Sequence, residues 1–104
     1  MDPKPEVRIR DGAVLALAKL TYRECALCGA TSNLHIHHVL FRSQGGDDVP
    51  ENLCCLCLSC HEAIHARKRY QWFALKTYIS FEREDVAAYL ARKLGPAGAA
   101  TFFD

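Results

Sequence analysis

Residues 34–65 read LHIHHVLFRSQGGDDVPENLCCLCLSCHEAIH, and this stretch decides the fold. It contains all five histidines of the chain and the pair Cys57-x-x-Cys60. A second pair, Cys25-x-x-Cys28, stands just upstream, so that every histidine and all six cysteines lie between residues 25 and 65. Imidazole and thiolate are the ligands that zinc prefers in proteins. We therefore expect a domain built around bound metal.

The remaining composition indicates one small globular domain. The chain has 104 residues, of which 50% are apolar and 24% are charged, with a formal net charge of +1. Its apolar runs are far shorter than the ~20 residues needed to cross a bilayer. The first residues, MDPKPEVRIRDG, are charged and contain prolines, unlike a secretory signal. Cysteine-rich chains without such a signal are typical of reducing compartments, so we expect a cytoplasmic protein without a membrane partner.

The four paired cysteines predict a structural zinc site. Two Cys-x-x-Cys knuckles, Cys25 with Cys28 and Cys57 with Cys60, can hold one tetrahedral Zn²⁺. The segment between them is longer than in common zinc ribbons, which leaves room for a hairpin carrying other residues. Cys54 and Cys55 lie outside the knuckle spacing, and we expect both to be buried strand residues.

The histidine spacing predicts a second metal site. His61 and His65 are four residues apart on a predicted helix, so their imidazoles share one face. His37, on a predicted strand, can supply a third ligand if the hairpin packs on that helix. His38 then lies beside the metal without binding it, a position suited to a general base. His35 is predicted either to line the groove or to cap the hairpin.

A zinc-protease motif offers a competing interpretation. His61-Glu62-Ala63-Ile64-His65 matches H-E-x-x-H, in which the glutamate is the general base. The helix begins within a cysteine knuckle, however, which leaves little room for a substrate-binding strand. A protease would also need another ligand after His65, for which Glu82 or Glu84 is the nearest candidate. We favour Glu62 as a solvated helix residue.

The pattern of apolar and turn residues predicts a small α+β fold with a hairpin packed on a helix. A helix capped by Asp11 is expected to pack in the core, because it is apolar nearly all round. Gly45, Gly46 and Pro50 indicate a loop between the strands. The predicted elements are a helix at 11–20, strands at 34–40 and 52–56, the loop at 41–51 and a helix at 58–68.

Residues flanking that core are predicted less uniquely. Residues 1–10 are expected to form an irregular arm, and residues 70–104 a C-terminal extension. Residues 70–80 could continue the preceding helix or form a β-ribbon, and their aromatic content favours the ribbon. Ser80 is predicted to cap a final helix that Gly95-Pro96 stops near residue 94. The tail should fray, apart from two phenylalanines that dock.

Residues 25–65 resemble the HNH, or ββα-metal, endonuclease family. The resemblance rests on Cys25-x-x-Cys28, His37-His38, Gly45-Gly46, Asn52-Leu53, Cys57-x-x-Cys60-His61 and His65, in this order and spacing. It implies a hairpin-on-helix core at about 25–68 within a single domain of residues 1–104. A four-cysteine zinc buttresses that core in many family members.

The resemblance also implies a role for each site residue. His38 resembles the general base, and Asn52 resembles the asparagine that ties down the loop and orients that base. His37, His61 and His65 resemble the ligands of a catalytic metal, although many members have Asp at the position of His37. The implied ion is divalent, and three imidazoles favour Zn²⁺, Ni²⁺ or Mn²⁺ over Mg²⁺.

The chemistry implied by the resemblance is hydrolysis of a DNA phosphodiester bond. Arg42 could contact a phosphate near the cleaved bond, and Arg67, Lys68 and Arg69 could hold the DNA backbone. For these four residues a solvated surface role is equally compatible with the sequence. Small phage and bacterial members suggest phage terminase or packaging proteins as partners, with the host cytoplasm as the location. The alternative function is a zinc-stabilised nucleic-acid-binding module without catalysis.

Overall fold

The computed structural model describes residues 8–104, and its centre is a two-stranded antiparallel hairpin followed by a helix. Strand β1 is Leu34–His38 and strand β2 is Leu53–Cys57, paired so that His37 lies opposite Cys54 and His38 opposite Leu53. Every residue of β2 is buried. Helix α2, Leu58–His65, follows β2 without a linker, since the last strand residue is also the helix cap. The predicted α+β fold with a hairpin on a helix is confirmed.

The element boundaries in this core differ slightly from those predicted. Strand β1 ends at His38 rather than at residue 40, and Asn52 lies in a short 3₁₀ turn before β2. Helix α2 ends at His65 rather than at residue 68. Arg67 has a φ of +53°, in the left-handed region, so the chain turns away from the helix axis there.

Helix α1, Gly12–Thr21, begins where the sequence predicts but is not a core helix. The carboxylate of Asp11 accepts hydrogen bonds from the backbone N–H groups of Ala13 and Val14, at 3.0 and 3.3 Å. Only Ala18 is buried, whereas Leu17 and Leu20 are 64% and 73% exposed. The expectation of core packing was wrong, because a two-stranded hairpin covers only one side of a helix that packs beside it.

Residues 70–80 are helical, so the predicted β-ribbon was wrong. Helix α3, Arg69–Glu82, buries Leu75 and Ile79, which are four residues apart, and half-buries Trp72 beside them. This apolar stripe has helical spacing and packs against the common core. Among the aromatic residues that favoured an extended strand, Tyr70 and Phe73 are exposed, whereas Trp72 and Tyr78 are half-buried against the core. Tertiary packing therefore overrides the β-propensity of the segment.

Helix α4, Glu84–Thr101, differs from the prediction at both ends. Ser80 lies inside α3 and is not a cap, and the two helices meet at Arg83, whose φ and ψ of −133° and 66° are not helical. Gly95 does leave helical geometry, with φ of 76° and ψ of 164°, but helix resumes after it. Proline suits the first position of a helix, and Pro96 restarts this one rather than ending it.

The C-terminal residues dock on α3. Residues 97–101 are helical instead of frayed, which corrects the prediction for the tail. Phe102 and Phe103 pack on Trp72, with ring centroids 5.9 and 5.4 Å from its ring. The indole Nε1–H of Trp72 donates a hydrogen bond of 2.9 Å to the carbonyl oxygen of Phe103. The predicted docking of two phenylalanines is confirmed.

Arg83 joins the two C-terminal helices to the hairpin. Its guanidinium donates to the carbonyl oxygens of Leu53 and Pro50, at 2.9 and 3.0 Å. It also donates two hydrogen bonds of 2.9 Å to the carboxylate of Asp85 and one of 3.1 Å to the hydroxyl of Tyr22. One side chain thus connects α1, β2, α3 and α4.

One apolar core is shared by the hairpin and by helices α2, α3 and α4. Its largest fully buried apolar side chains include Leu40, Leu56, Ile64, Leu75 and Val86. Val86, Tyr89 and Leu90 of α4 are buried in it at the helical spacing that the sequence predicts.

Within residues 8–104 no helix is long and apolar enough to span a membrane. Residues 1–7 of the predicted irregular arm lie outside the described part of the chain, and residues 8–10 have neither helix nor strand structure.

Candidate active site

Four cysteine thiols converge where β2 meets α2. Cys25, Cys28, Cys57 and Cys60 have Sγ atoms that all lie within 4.8 Å of one another, and those of Cys28 and Cys57 are 3.6 Å apart. A tetrahedral zinc with Zn–S bonds of ~2.3 Å has S–S edges of about 3.8 Å. The thiol geometry therefore fits a single zinc ion.

The acidity of these thiols also fits a bound cation. Burial raises the pKa of Cys25, but hydrogen bonds from backbone N–H groups outweigh it and bring the pKa to about 7. The pKa of Cys60 is raised, first by burial and then by the neighbouring thiols. Four thiolates this close repel one another, and a divalent ion removes that repulsion. By contrast, complete burial raises the pKa of Cys54 to about 12, as expected for an inert strand thiol.

Three imidazoles form a second cluster on the other side of α2. His37 of β1 and His61 and His65 of α2 have ring nitrogens within 4.8 Å of one another. The ring centroid of His37 lies 5.3 Å from that of His61 and 5.5 Å from that of His65. The structure therefore brings together the three residues that the sequence nominates as ligands of the catalytic metal.

The polar atoms of this cluster fit a divalent ion. Among the described residues, neither ring nitrogen of His37 nor Nδ1 of His61 has a hydrogen-bond partner, although all three atoms are buried. Burial, followed by the charges that His61 and His65 would carry, lowers the pKa of His37 to about 3. Burial likewise lowers the pKa of His61. Neutral imidazoles with unused electron pairs are what a borderline transition ion requires.

His38 lies next to this cluster but has a different partner. Its Nε2 is 2.7 Å from Oδ1 of Asp48, so that carboxylate holds the ring. Burial lowers the pKa of His38, and the hydrogen bond to Asp48 partly offsets the effect. Side chains alternate along a strand, which would separate His37 from His38. Because β1 ends at His38, both rings nevertheless line one pocket of about 480 Å³.

Asn52 fixes the loop between the strands from within. Its Oδ1 accepts a hydrogen bond of 2.8 Å from the N–H of Leu40, and its Nδ2 donates to the carbonyl oxygens of Leu40 and Asp47, both at 3.1 Å. The side chain is completely buried. It contacts the loop that leads to Asp48 rather than His38 itself, so it supports His38 only through that loop.

Asp47 and Asp48 are site residues that sequence reasoning treated only as loop signals. Asp48 accepts hydrogen bonds from His38, from the N–H of Asp11 and from the guanidinium of Arg8. Burial raises the pKa of Asp48, but these partners outweigh it and hold the pKa below its ordinary value. In the sequence, Asp47 and Asp48 are turn-forming residues that, with Gly45, Gly46 and Pro50, indicate a loop. Nothing in their spacing indicated that His38 would be the partner of Asp48.

The neighbouring Asp47 attaches the same loop to α4 and to the N-terminal segment. Its side chain accepts hydrogen bonds of 2.7 Å from the hydroxyl of Tyr89 and of 2.6 Å from the N–H of Ile9. It also forms an ion pair of 2.9 Å with Lys93. Asp47 and Asp48 are adjacent, and together they attach the loop that contacts His38 to both α4 and the N-terminal segment.

The predicted phosphate-binding residues are separated into two groups. Arg42 is exposed at the rim of the histidine-lined pocket and also lines a groove beside α1. Arg67 and Lys68 are exposed in the turn between α2 and α3, and Arg69 is exposed at the start of α3. Arg67 and Arg69 line a different cleft, so these residues do not face the histidine cluster as a group.

Two open alternatives are decided by the geometry. His35 is exposed and stacks on His61, with ring centroids 5.3 Å apart and an interplanar angle of 11°, so it lines the groove beside the site. The ligand set expected of a zinc protease is not formed, since His37 completes the cluster in place of Glu82 or Glu84. Glu62 is exposed and does not line the pocket, as expected for a solvated helix residue.

Comparison with known proteins agrees with this architecture. Over 50 residues, which are 48% of this chain, the sequence is 34% identical to the type IV methyl-directed restriction enzyme EcoKMcrA of Escherichia coli (strain K12). The match spans only 18% of that enzyme's length. The family model for HNH endonucleases matches residues 25–67, which include both cysteine pairs and all five histidines. Residues 25–67 are therefore similar in sequence to HNH endonucleases.

Proposed function

We propose that the protein is a metal-dependent DNA endonuclease that hydrolyses phosphodiester bonds, and that residues 1–104 act as one domain. The observation that supports this function most strongly is the shared pocket. A three-histidine cluster and a histidine held by a carboxylate line the same cavity of about 480 Å³. A module that only binds nucleic acid needs neither group.

His38 is the proposed general base. The pKa of Asp48 lies below its ordinary value, so Asp48 is an ionised acceptor and the proton on Nε2 of His38 faces it. Nδ1 therefore keeps its electron pair and takes a proton from the attacking water. The water oxygen bonds to phosphorus as the P–O3′ bond breaks, and Asp48 stabilises the imidazolium that forms. The leaving 3′ oxygen takes a proton from solvent, so the products carry a 5′ phosphate and a 3′ hydroxyl.

His37, His61 and His65 are the proposed holders of one divalent ion, Zn²⁺, Ni²⁺, Mn²⁺ or Mg²⁺. Bound there, the ion would supply positive charge that stabilises the transition state and the leaving 3′ oxygen. Asn52 holds the loop that presents Asp48. Arg42, at the rim of the pocket, is the proposed contact to a phosphate near the cleaved bond, and Arg67, Lys68 and Arg69 are proposed to hold the DNA backbone.

Cleavage of supercoiled plasmid tests the function. Zinc-loaded protein, freed of loosely bound metal, is resupplied with Mg²⁺, Mn²⁺, Ni²⁺ or Zn²⁺. We expect nicking or linearisation by the wild type and a loss of about 10²- to 10⁴-fold in the His38→Ala variant. Leu17→Ala, an exposed change on α1, is the control and should cleave normally.

A silent wild type would favour the other function. If folded, zinc-loaded protein cleaves with none of the four ions but still retards DNA in a gel, the non-catalytic binding module is the better description. If His38→Ala cleaves as well as the wild type, the proposed base is wrong. Phage packaging proteins as partners stay a prediction from the resemblance alone.

A further inference from the structure

A cleft outside the catalytic pocket lies between the first half of α3 and the C-terminal residues. Its volume is about 760 Å³, larger than the histidine-lined pocket. Trp72 and Phe103 pack together within it. Tyr70 and Phe73 also line it, but they are 79% and 68% exposed. These two rings add little to the folded core, so their position requires another explanation.

The exposed aromatic residues lie along one face of α3. At 100° per residue, Tyr70, Phe73 and Phe81 fall within about 80° of one another, and at 1.5 Å per residue they extend over about 16 Å. Phe81 is 82% exposed. Large exposed apolar side chains grouped on one face of a small protein often mark a binding site.

The charges around the cleft select a polyanion as the partner. Arg67, Arg69 and Lys76 line it, and Asp104 is the acidic residue among the lining side chains. The guanidinium of Arg67 lies 4.9 Å from the centre of the Trp72 ring. Cations alternating with exposed rings are the combination that proteins use to bind single strands, in which bases stack on the rings and phosphates pair with the cations.

The cleft is adjacent to the catalytic pocket in the chain. Arg67 stands two residues after His65, and α3 begins four residues after it, so one nucleic-acid strand can run from the pocket into the cleft. In a duplex, each base is paired and stacked between neighbours, and only phosphates and groove edges are accessible. The exposed rings can therefore stack only on bases outside a duplex.

We propose that the Tyr70–Phe73 face of α3, with Arg69 and Lys76, binds an unpaired segment of DNA next to the cleavage site. The substrate class is then DNA with a duplex-to-single-strand junction, such as an overhang or a flap. The position next to a cleavage site rests on the proposed nuclease function. The preference for unpaired DNA can be measured independently of that function.

Fluorescence anisotropy with labelled oligonucleotides at one fixed salt concentration tests the proposal. Full-length, zinc-loaded protein carrying His38→Ala is used so that cleavage does not interfere. The probes are a blunt duplex, the same duplex with a single-stranded overhang, and the single strand. We expect the overhang and the single strand to bind at least 10-fold more tightly than the blunt duplex.

Removing the rings should abolish that preference. We expect Tyr70→Ala and Phe73→Ala each to weaken binding of the overhang by about 5- to 100-fold, the range for loss of one stacked base. Binding of the blunt duplex should stay unchanged. Leu17→Ala is a matched control, because Leu17 is 64% exposed on another helix and Phe73 is 68% exposed on α3.

Three results would overturn the proposal. The first is equal affinity for the blunt and overhang duplexes. The second is undiminished overhang binding by a variant that combines Tyr70→Ala with Phe73→Ala. The third is a wild-type dimer that this double variant converts to monomer. The last result would identify the face as a contact between copies of the chain. The nuclease function is judged separately, from plasmid cleavage by protein with His38 intact, so failure of one proposal does not imply failure of the other.

Discussion

Gly46 lies where the loop after β1 folds back against the end of that strand. Its N–H donates a hydrogen bond of 2.9 Å to the carbonyl oxygen of Phe41. A Cβ atom at this position would lie 1.8 Å from the carbonyl oxygen of Leu40, a backbone atom that cannot move aside. Asp47 and Asp48 follow directly, so the close approach at Gly46 determines where both carboxylates lie.

We expect Gly46→Ala to lower the free energy of unfolding by more than about 3 kcal/mol, because the loop must shift and its buried hydrogen bonds are lost. Thermal unfolding of the zinc-loaded protein measures the effect. Gly12→Ala is the matched control, since nothing lies within 4 Å of a Cβ atom at that position. If both variants unfold at the same temperature, the loop is more compliant than the structure indicates.

Asp48 differs from Asp47, which is also buried, because Asp48 contacts His38, the proposed base. We expect Asp48→Asn to reduce kcat for DNA cleavage by about 10- to 100-fold and to leave KM nearly unchanged. The amide no longer stabilises the imidazolium of His38, and the buried carboxylate is too far inside to contact substrate. Steady-state cleavage measures both constants.

Asp11→Asn is the control for that exchange, since asparagine caps a helix about as well as aspartate. It should leave kcat unchanged. Full activity in a folded Asp48→Asn variant would show that the carboxylate does not support His38.

Among the secondary-structure elements, the hairpin and α2 could be predicted because the spacing of metal ligands within this segment limits how it can fold. Two cysteine knuckles and the His61–His65 spacing specify which faces meet, and the structure has the strands within two residues of the prediction. Helix α3 could not be predicted, because its aromatic residues favour strand and the decisive contacts of Leu75 and Ile79 come from distant parts of the chain. For the same reason the sequence nominated His38 but not Asp48, ten residues away.

Arg83 carries the junction of α3 and α4, and no local pattern marked it. We expect Arg83→Ala to lower the free energy of unfolding by about 2–4 kcal/mol, because the carbonyl oxygens of Leu53 and Pro50 lose a charged donor. Denaturant unfolding of zinc-loaded protein measures the loss. Arg83→Lys should recover only part of it, since an ammonium cannot reproduce the two-pronged contact with Asp85.

Arg23→Ala, an exposed arginine near the end of α1, is the control and should change stability by less than about 0.5 kcal/mol. A similarly small effect of Arg83→Ala would mean that water replaces the arginine at the junction.

At the scale of the whole molecule, we expect the chain to fold only when the four-cysteine site binds zinc. Structural zinc contributes ~10–16 kcal/mol of apparent binding free energy, against a net stability of about 5–15 kcal/mol for a typical domain. We expect a strong chelator to abolish cooperative thermal unfolding and most near-ultraviolet circular dichroism, and added zinc to restore both. An apo-protein that melts cooperatively at the holo temperature would contradict this expectation.

Two cysteine variants separate zinc loss from simple loss of a buried thiol. Cys57→Ser should behave like the chelated protein, because Cys57 belongs to the thiol cluster and also accepts the capping hydrogen bond from the N–H of Cys60. Cys54→Ala, at a completely buried strand position outside that cluster, should remain folded and bind zinc. Metal content and melting temperature measure both.

The end of β1 also has a consequence for how such an enzyme can change over time. His37 and His38 occupy adjacent codons, yet His37 lies against the α2 imidazoles whereas His38 lies against Asp48. With the roles proposed above, a mutation in the first codon would alter which ion is preferred, and a mutation in the second would alter proton transfer. Selection could therefore adjust these two properties one at a time, but a one-residue insertion or deletion within β1 would shift the register of both histidines and disturb both properties at once.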